Sequence, residues 1–207
     1  MGLLLFVPAG SLRYWHAWVY LAIFNGASIL TTLDLMKRDP ALLKRRMRGG
    51  PTAEKEATQR LIMVFTSLGF IALLVVPALD YRFGWSTVPV PVVLVGDLLV
   101  VIGFYFIVLV YRENTFTSAT VEIAENQTVI STGPYAIVRH PMYASALLYL
   151  FGTPLALGSY WGLIPLAVTA PFLVWRLLDE ERLLARGLPG YTEYQSRVRY
   201  RLLPHVW

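Results

Sequence analysis

The chain has 207 residues, 56% of them hydrophobic and only 15% charged, and 18 Lys and Arg against 13 Asp and Glu give a formal net charge of +5. A soluble domain carries about 25% charged residues, so the composition points to one helical bundle with a lipid-facing surface, and no aromatic-rich basic module argues for nucleic acid. With no cysteine, disulfides, thiolate metal sites and cysteine nucleophiles are excluded, while His16, His140 and His205 are too scattered for a metal cluster, so none is expected.

The opening MGLLLFVPAG has an apolar run with no basic residues before it and no small-residue cleavage site after it, unlike a secretory signal. It is expected to stay on the chain and lie in the membrane interface. A membrane-crossing helix needs about 20 mostly apolar residues. Stretches 15–33, 61–79, 90–111, 141–157 and 160–178 qualify, so the expected architecture is all-α: a single-domain, multi-pass integral membrane bundle of about five transmembrane helices.

Between the first two spans, Asp39-Pro40 supplies a capping carboxylate and a proline for the first helical position, and Gly49-Gly50-Pro51 supplies a stop. The basic stretch between them reads as a short helix at an anionic lipid surface or as a topogenic charge cluster. In the third span, Asp97 reads as a neutralised or locally hydrogen-bonded structural residue, with Asn25 of the first span as its expected partner. The fourth and fifth spans, joined at Gly158 and Ser159, read as an antiparallel hairpin.

Residues 112–140 are polar and punctuated by Asn126 and Gly133-Pro134. Irregular connections longer than about 15 residues are usually functional or disordered, and this one leads into the fourth span, so it reads as functional. Placing the 34–60 and 112–140 segments and the tail on one side gathers there all of the 18 Lys and Arg except Arg13 and Arg82. By the positive-inside tendency, the N-terminus is expected outside and the C-terminus in the cytoplasm, in a plasma membrane taken as bacterial.

Pro141 suits the first turn of the fourth helix, and Arg139 and His140 stand at its mouth. Free N–H groups and the helix dipole attract a carboxylate or phosphate there. At the end of the fifth helix, Arg176 and Glu180 share a face at i, i+4, whereas the adjacent Glu180 and Glu181 diverge. Three carboxylates near a helix C-terminus oppose the macrodipole, so positive partners are expected. A hairpin brings the mouth and the acidic turn to one place.

Gly133-Pro134-Tyr135, then Arg139-His140-Pro141-Met142-Tyr143, then Arg176 with Glu180-Glu181, followed by Tyr191 and Tyr194, resembles the isoprenylcysteine carboxyl methyltransferase family and its phospholipid methyltransferase relatives. The resemblance covers roughly residues 110–204. It implies S-adenosyl-L-methionine bound in a cytoplasmic pocket, with contacts from Gln127, Thr128, Val129, Ile130, Tyr135, Arg139, His140, Pro141, Met142, Tyr143, Glu180 and Glu181. It also implies Arg176 at the methyl acceptor, with Arg176 and Glu180 as the catalytic pair. Gln127 stands where the carboxyl methyltransferases often have histidine. Residues 187–190 depart from the pattern, so Tyr191 and Tyr194 stay outside the expected site.

Chemistry supports these roles separately. The cofactor's ammonium wants a carboxylate such as Glu180, its carboxylate a helix mouth, and its sulfonium aromatic faces. A guanidinium at 176 favours a carboxylate acceptor, which is already nucleophilic at neutral pH, over an amine that must first lose a proton. The expected partners are a lipophilic small molecule or lipid entering from the bilayer and the membrane lipids themselves. The alternatives are a phospholipid or other small-molecule N- or S-methyltransferase, a sterol-type reductase, and a non-catalytic membrane protein.

Overall fold

The computed structural model describes residues 1–54 and 56–207. Lys55, one of the basic residues of the 34–60 segment, lies outside the described residues. Among those described there is no strand, and eight α-helices follow in order: α1 Gly2–Ala9, α2 Trp15–Arg38, α3 Pro40–Met47, α4 Ala57–Phe83, α5 Val90–Glu113, α6 Pro141–Ala156, α7 Leu163–Gly187 and α8 Tyr191–Arg197. The 114–140 connection is irregular apart from one 3₁₀ turn at Gly133–Ala136.

The chain is a membrane protein built as a helical bundle. Helices α2, α4 and α5 are long and apolar enough to cross a membrane. Of the five crossings expected, these three are the helices long and apolar enough among the described residues. Helix α6 has 16 residues, roughly 24 Å at 1.5 Å each against about 30 Å of hydrocarbon, and α7 carries its charged turn at its C-terminal end.

The opening segment forms α1, which buries Leu5 and Ala9 against α4 and α2. Gly10 ends it at φ 64°, beside the Arg82 side chain. Arg13 and Arg82 therefore share one end of the bundle. Asp39 caps α3 as its sequence dictates, its Oδ1 accepting the Leu42 N–H at 2.8 Å.

The expected hairpin is corrected in its packing. Helices α6 and α7 are joined by a short turn, with Gly158 at φ 69°, but α6 lies chiefly against α5 and α7 against α4. Glycines explain the α5–α6 pairing. A Cβ on Gly96 would fall 2.3 Å from the Ala156 backbone nitrogen, and one on Gly152 would fall 2.7 Å from the Gly96 carbonyl oxygen. Backbones this close gain van der Waals contact that larger residues forbid. Helices α6 and α7 touch at the turn, where a Cβ on Gly162 would fall 2.6 Å from the Pro154 side chain, and again at their charged ends, where Tyr143 reaches Glu180.

Asp97 is buried in α5, and neither carboxylate oxygen has a hydrogen-bond partner. Of the two readings expected for Asp97, neutralised or locally hydrogen-bonded, the second is not met. Asn25 is not its partner either, since its Nδ2 donates to the Leu21 carbonyl of its own helix at 2.8 Å.

Candidate active site at the mouth of α6

The two residues before Pro141 are fixed by the tail. The Arg139 and His140 backbone N–H groups donate to the Tyr200 and Arg201 carbonyls, each at 2.9 Å, so the tail rather than a ligand uses them. His140 is the N-cap of α6, but its side chain makes no capping bond. The Arg139 Nε instead donates to Glu181 Oε1 at 2.7 Å, and its Nη1 donates to the carbonyls of Val198 and Arg199. Glu181, only 5% exposed, also accepts from Arg201 Nε at 2.9 Å. His140 Nε2 lies 3.2 Å from Glu181 Oε1, within reach of charge attraction but not aligned as a hydrogen bond. Burial works to raise the Glu181 pKa, but the contacts of His140 and Arg201 and the positive charge of Arg139 outweigh it and hold the carboxyl down at about 2.

One residue earlier on α7, Glu180 Oε2 accepts from the Tyr143 hydroxyl at 2.7 Å. The mouth of α6 and the acidic turn of α7 thus meet through two bonds, Arg139 to Glu181 and Tyr143 to Glu180, and the two adjacent glutamates take different partners. Asp179 takes a third set, Gln59 at 3.0 Å and Arg182 at 2.9 Å. The positive compensation expected for this turn is present, supplied by Arg139, Arg201 and Arg182.

Arg176 does not pair with Glu180, although the two share a helix face. Its Nη2 donates to Glu54 Oε1 at 2.6 Å and to the Ala119 carbonyl at 2.8 Å, and its Nη1 donates to Gln59 Oε1 at 2.9 Å. Arg176 and Glu54 are 8% and 2% exposed. Glu54 also accepts the Val121 N–H at 3.3 Å. Helix α3 fastens the same connection: Arg45 donates to the Thr115 carbonyl, and Arg46 donates to that of Ser118 at 2.5 Å. These two arginines of the basic helix therefore face the 114–140 connection and not only lipid.

Between these elements lies a cavity of about 420 Å³, within the roughly 300–1,000 Å³ usual for small-molecule sites. Its polar part is walled by the 127–130 segment, Tyr135, Arg139, His140, Tyr143 and Glu180. Its apolar part runs into the bundle between Met63 of α4, Ile107 of α5, Ala146 of α6 and Leu173 of α7. Met142 and Arg176 also reach it. The Gln127 side chain is used locally, its Oε1 accepting the Ala124 N–H at 2.8 Å. Two of the residues expected to contact the cofactor stand outside the cavity wall. Pro141 is buried as the first residue of α6, and Glu181 sits behind the wall, drawn there by its cationic neighbours; neither lines the cavity.

Tyr191 and Tyr194, left outside the expected site, line it. The Tyr194 hydroxyl donates to the Tyr135 carbonyl at 2.7 Å, and Asn114 Nδ2 donates to the Tyr135 hydroxyl at 3.0 Å. The Tyr191 hydroxyl is buried without a partner. Burial pushes both phenols above their ordinary pKa, reinforced by the Glu181 charge; the Arg139 charge opposes this. Val129 and Ile130 pack against the small core that these tyrosines form with Leu184 and Leu188. Arg46, Glu54 and Gln59 were missed altogether, because partners more than 70 residues apart leave no local pattern.

Residues 91–188 match the profile of the phospholipid methyltransferase family. The chain is also 30% identical over 111 residues to the cobalt-zinc-cadmium resistance protein CzcN of Cupriavidus metallidurans, an alignment covering 50% of this chain and 49% of that protein. The chain thus spans about half the length of the curated relative it matches. The profile match takes in nearly all of α5, the irregular connection, α6 and α7, the segments that carry most of the cavity wall, and over these segments the chain is similar to the phospholipid methyltransferase family, of the isoprenylcysteine carboxyl methyltransferase-like group.

Proposed function

We propose that this membrane protein is a methyltransferase that uses S-adenosyl-L-methionine and methylates a carboxylate on a lipophilic acceptor. The observation that carries the reading is one cavity with a polar wall at the charged end of the bundle and an apolar wall between its helices. Such a space takes a water-soluble donor from one side and a lipid-borne acceptor from the other.

The residues present fit the cofactor. The buried Tyr191 hydroxyl without a partner is a polar atom that a ligand would satisfy. Glu180, held by Tyr143, offers a carboxylate to an ammonium group. Met142 and Tyr143 stand in the first turn of α6, where backbone N–H groups lack intrahelical acceptors and favour a carboxylate. The aromatic faces of Tyr135, Tyr143 and Tyr191 suit a sulfonium cation. Bound there, the cofactor supplies an electrophilic methyl group. The chain's own task is to align the acceptor and exclude water, which contributes up to about 7–11 kcal/mol in well-oriented reactions.

In this reading Arg176 shapes the acceptor end of the cavity. A carboxylate needs no base to react, and Arg176 is already engaged by Glu54 and Gln59, so it acts by holding the wall in position. The basic end of the bundle faces the cytoplasm. A second reading, methylation of a phospholipid amine, is favoured by the description of the family matched over 91–188. Labelled cofactor incubated with the purified protein and total membrane lipids tests both. A carboxylate acceptor yields a product that releases labelled methanol in alkali, an amine acceptor yields an alkali-stable product, and no transfer to any lipid overturns both.

A further inference from the structure

Three arginines reach the cavity, and they differ in how their charge is met. Arg139 is paired with Glu181 at 2.7 Å, and Arg176 with Glu54 at 2.6 Å, each inside a buried contact. Arg46 has no carboxylate partner among the described residues. Its Nη1 donates to the Ser118 carbonyl at 2.5 Å, and its guanidinium carbon lies 5.4 Å from the centre of the Tyr111 ring. A carbonyl and an aromatic face orient a guanidinium without neutralising it. A half-buried cation in that condition has unmet attraction for an anion, and its planar fork matches a carboxylate or phosphate.

Arg46 is also held in place. Asp39 caps its short helix, Leu42 of the same helix is fully buried, and the neighbouring Arg45 donates to the Thr115 carbonyl. The cavity wall beside it continues through Tyr111 and Ile107 of α5 and Met63 and Thr66 of α4 into the apolar part of the bundle. A charged head at Arg46 therefore leaves an attached hydrocarbon tail among apolar side chains.

We infer that Arg46 is the anion anchor of the methyl acceptor, and that the acceptor is an amphiphile with a carboxylate or phosphate head. This rests on the methyltransferase reading for the word acceptor but not for the anion site. Arg176 is the weaker candidate for direct contact, because an incoming anion would have to displace Glu54 from a buried pair.

The test is calorimetric titration of the full chain in detergent with octanoate, octyl phosphate and octylamine, using wild type, Arg46→Gln, Arg46→Lys and Arg176→Gln. S-adenosylhomocysteine serves as a separate ligand. Wild type is expected to bind at least one octyl anion and not octylamine, and the preferred anion identifies the head as carboxylate or phosphate. Arg46→Gln should weaken that binding about tenfold or more, as expected for a lost charge-assisted bond, with Arg46→Lys in between and S-adenosylhomocysteine affinity retained. In wild type, whichever octyl anion binds more tightly should also slow phenylglyoxal modification of Arg46, read by peptide mass spectrometry; this readout does not depend on a variant folding. Failure of wild type to bind either anion, equal anion affinity in Arg46→Gln, loss confined to Arg176→Gln, or unprotected Arg46 each overturns the inference. Anion binding through Arg46 without any binding of S-adenosylhomocysteine would leave the anion site standing and defeat the methyltransferase reading instead.

Discussion

Arg139 and Glu181 stand 42 residues apart in the sequence and meet at 2.7 Å, inside the protein, where the start of α6 reaches the last turns of α7. Arg201 of the tail closes on the same carboxylate at 2.9 Å. One carboxylate thus ties three separate segments into the wall behind the cavity. Removing it leaves Arg139 buried without its counter-charge, and breaking such a pair typically costs about 3–5 kcal/mol. Glu181→Ala should lower the thermal unfolding midpoint in detergent markedly, whereas Arg182→Ala, which removes an exposed partner of Asp179, should shift it little, since exposed pairs contribute about 0–1 kcal/mol.

The same carboxylate predicts a pH dependence. Its folded pKa, about 2, lies below the ordinary glutamate value of about 4.3. A depressed carboxyl contributes stability that is fully present above the unfolded pKa and is lost as pH falls toward the folded one. Wild type should therefore lose stability relative to Glu181→Gln between about pH 5 and pH 2. Unfolding midpoints of the two proteins across that window provide the check, and parallel curves would contradict the assignment.

Glu54 and Arg176 form the second buried pair and hold the 115–122 segment over the cavity through Ala119 and Val121. Because the two act together, a double-mutant cycle of Glu54→Gln and Arg176→Gln should give a coupling of roughly 1–3 kcal/mol. Amide exchange in residues 115–122 should quicken in either single variant. Additive effects with unchanged exchange would show that the pair does not position the segment.

Much of the charged end was legible because its signals are local. Asp39-Pro40 starts α3 and Pro141 starts α6 as capping chemistry requires, and the i, i+1 divergence of Glu180 and Glu181 follows from helix geometry alone. The pairing of α6 with α5 was also written in the chain, in Gly96, Gly103 and Gly152, but glycines carry no hydropathy signal and a spans-first reading passes over them. Glu54 lies 122 residues from Arg176, in a polar stretch with no periodicity, so nothing marked it. The expectation for Asn25 failed because its side chain found a backbone acceptor one turn away on its own helix, an option polar side chains always have.

The glycine contacts give a packing prediction. A methyl group at Gly96 would sit 2.3 Å from a backbone atom of α6, which must move, and such overpacking typically costs about 1–3 kcal/mol. Gly96→Ala should lower stability by that order and reduce cofactor binding as α6 shifts. Gly26→Ala in α2, where a Cβ meets nothing within 4 Å, is the control and should be neutral in a thermal melt.

Tyr191→Phe separates packing from binding. Its hydroxyl is buried and unpartnered, and an unsatisfied buried group costs about 1–3 kcal/mol. The variant should melt at the same temperature as wild type or higher when ligand-free, yet bind S-adenosylhomocysteine several-fold more weakly. A lower ligand-free melting temperature would mean that the hydroxyl already has a structural role.

The decisive measurement is calorimetric titration of S-adenosylhomocysteine into the purified full-length chain and into Glu180→Gln. Saturable binding with one site per chain, weakened about tenfold or more by removing the Glu180 charge, is the expected result. Absence of binding to wild type, or identical affinity in the two proteins, would contradict a cofactor pocket at the meeting point of α6 and α7.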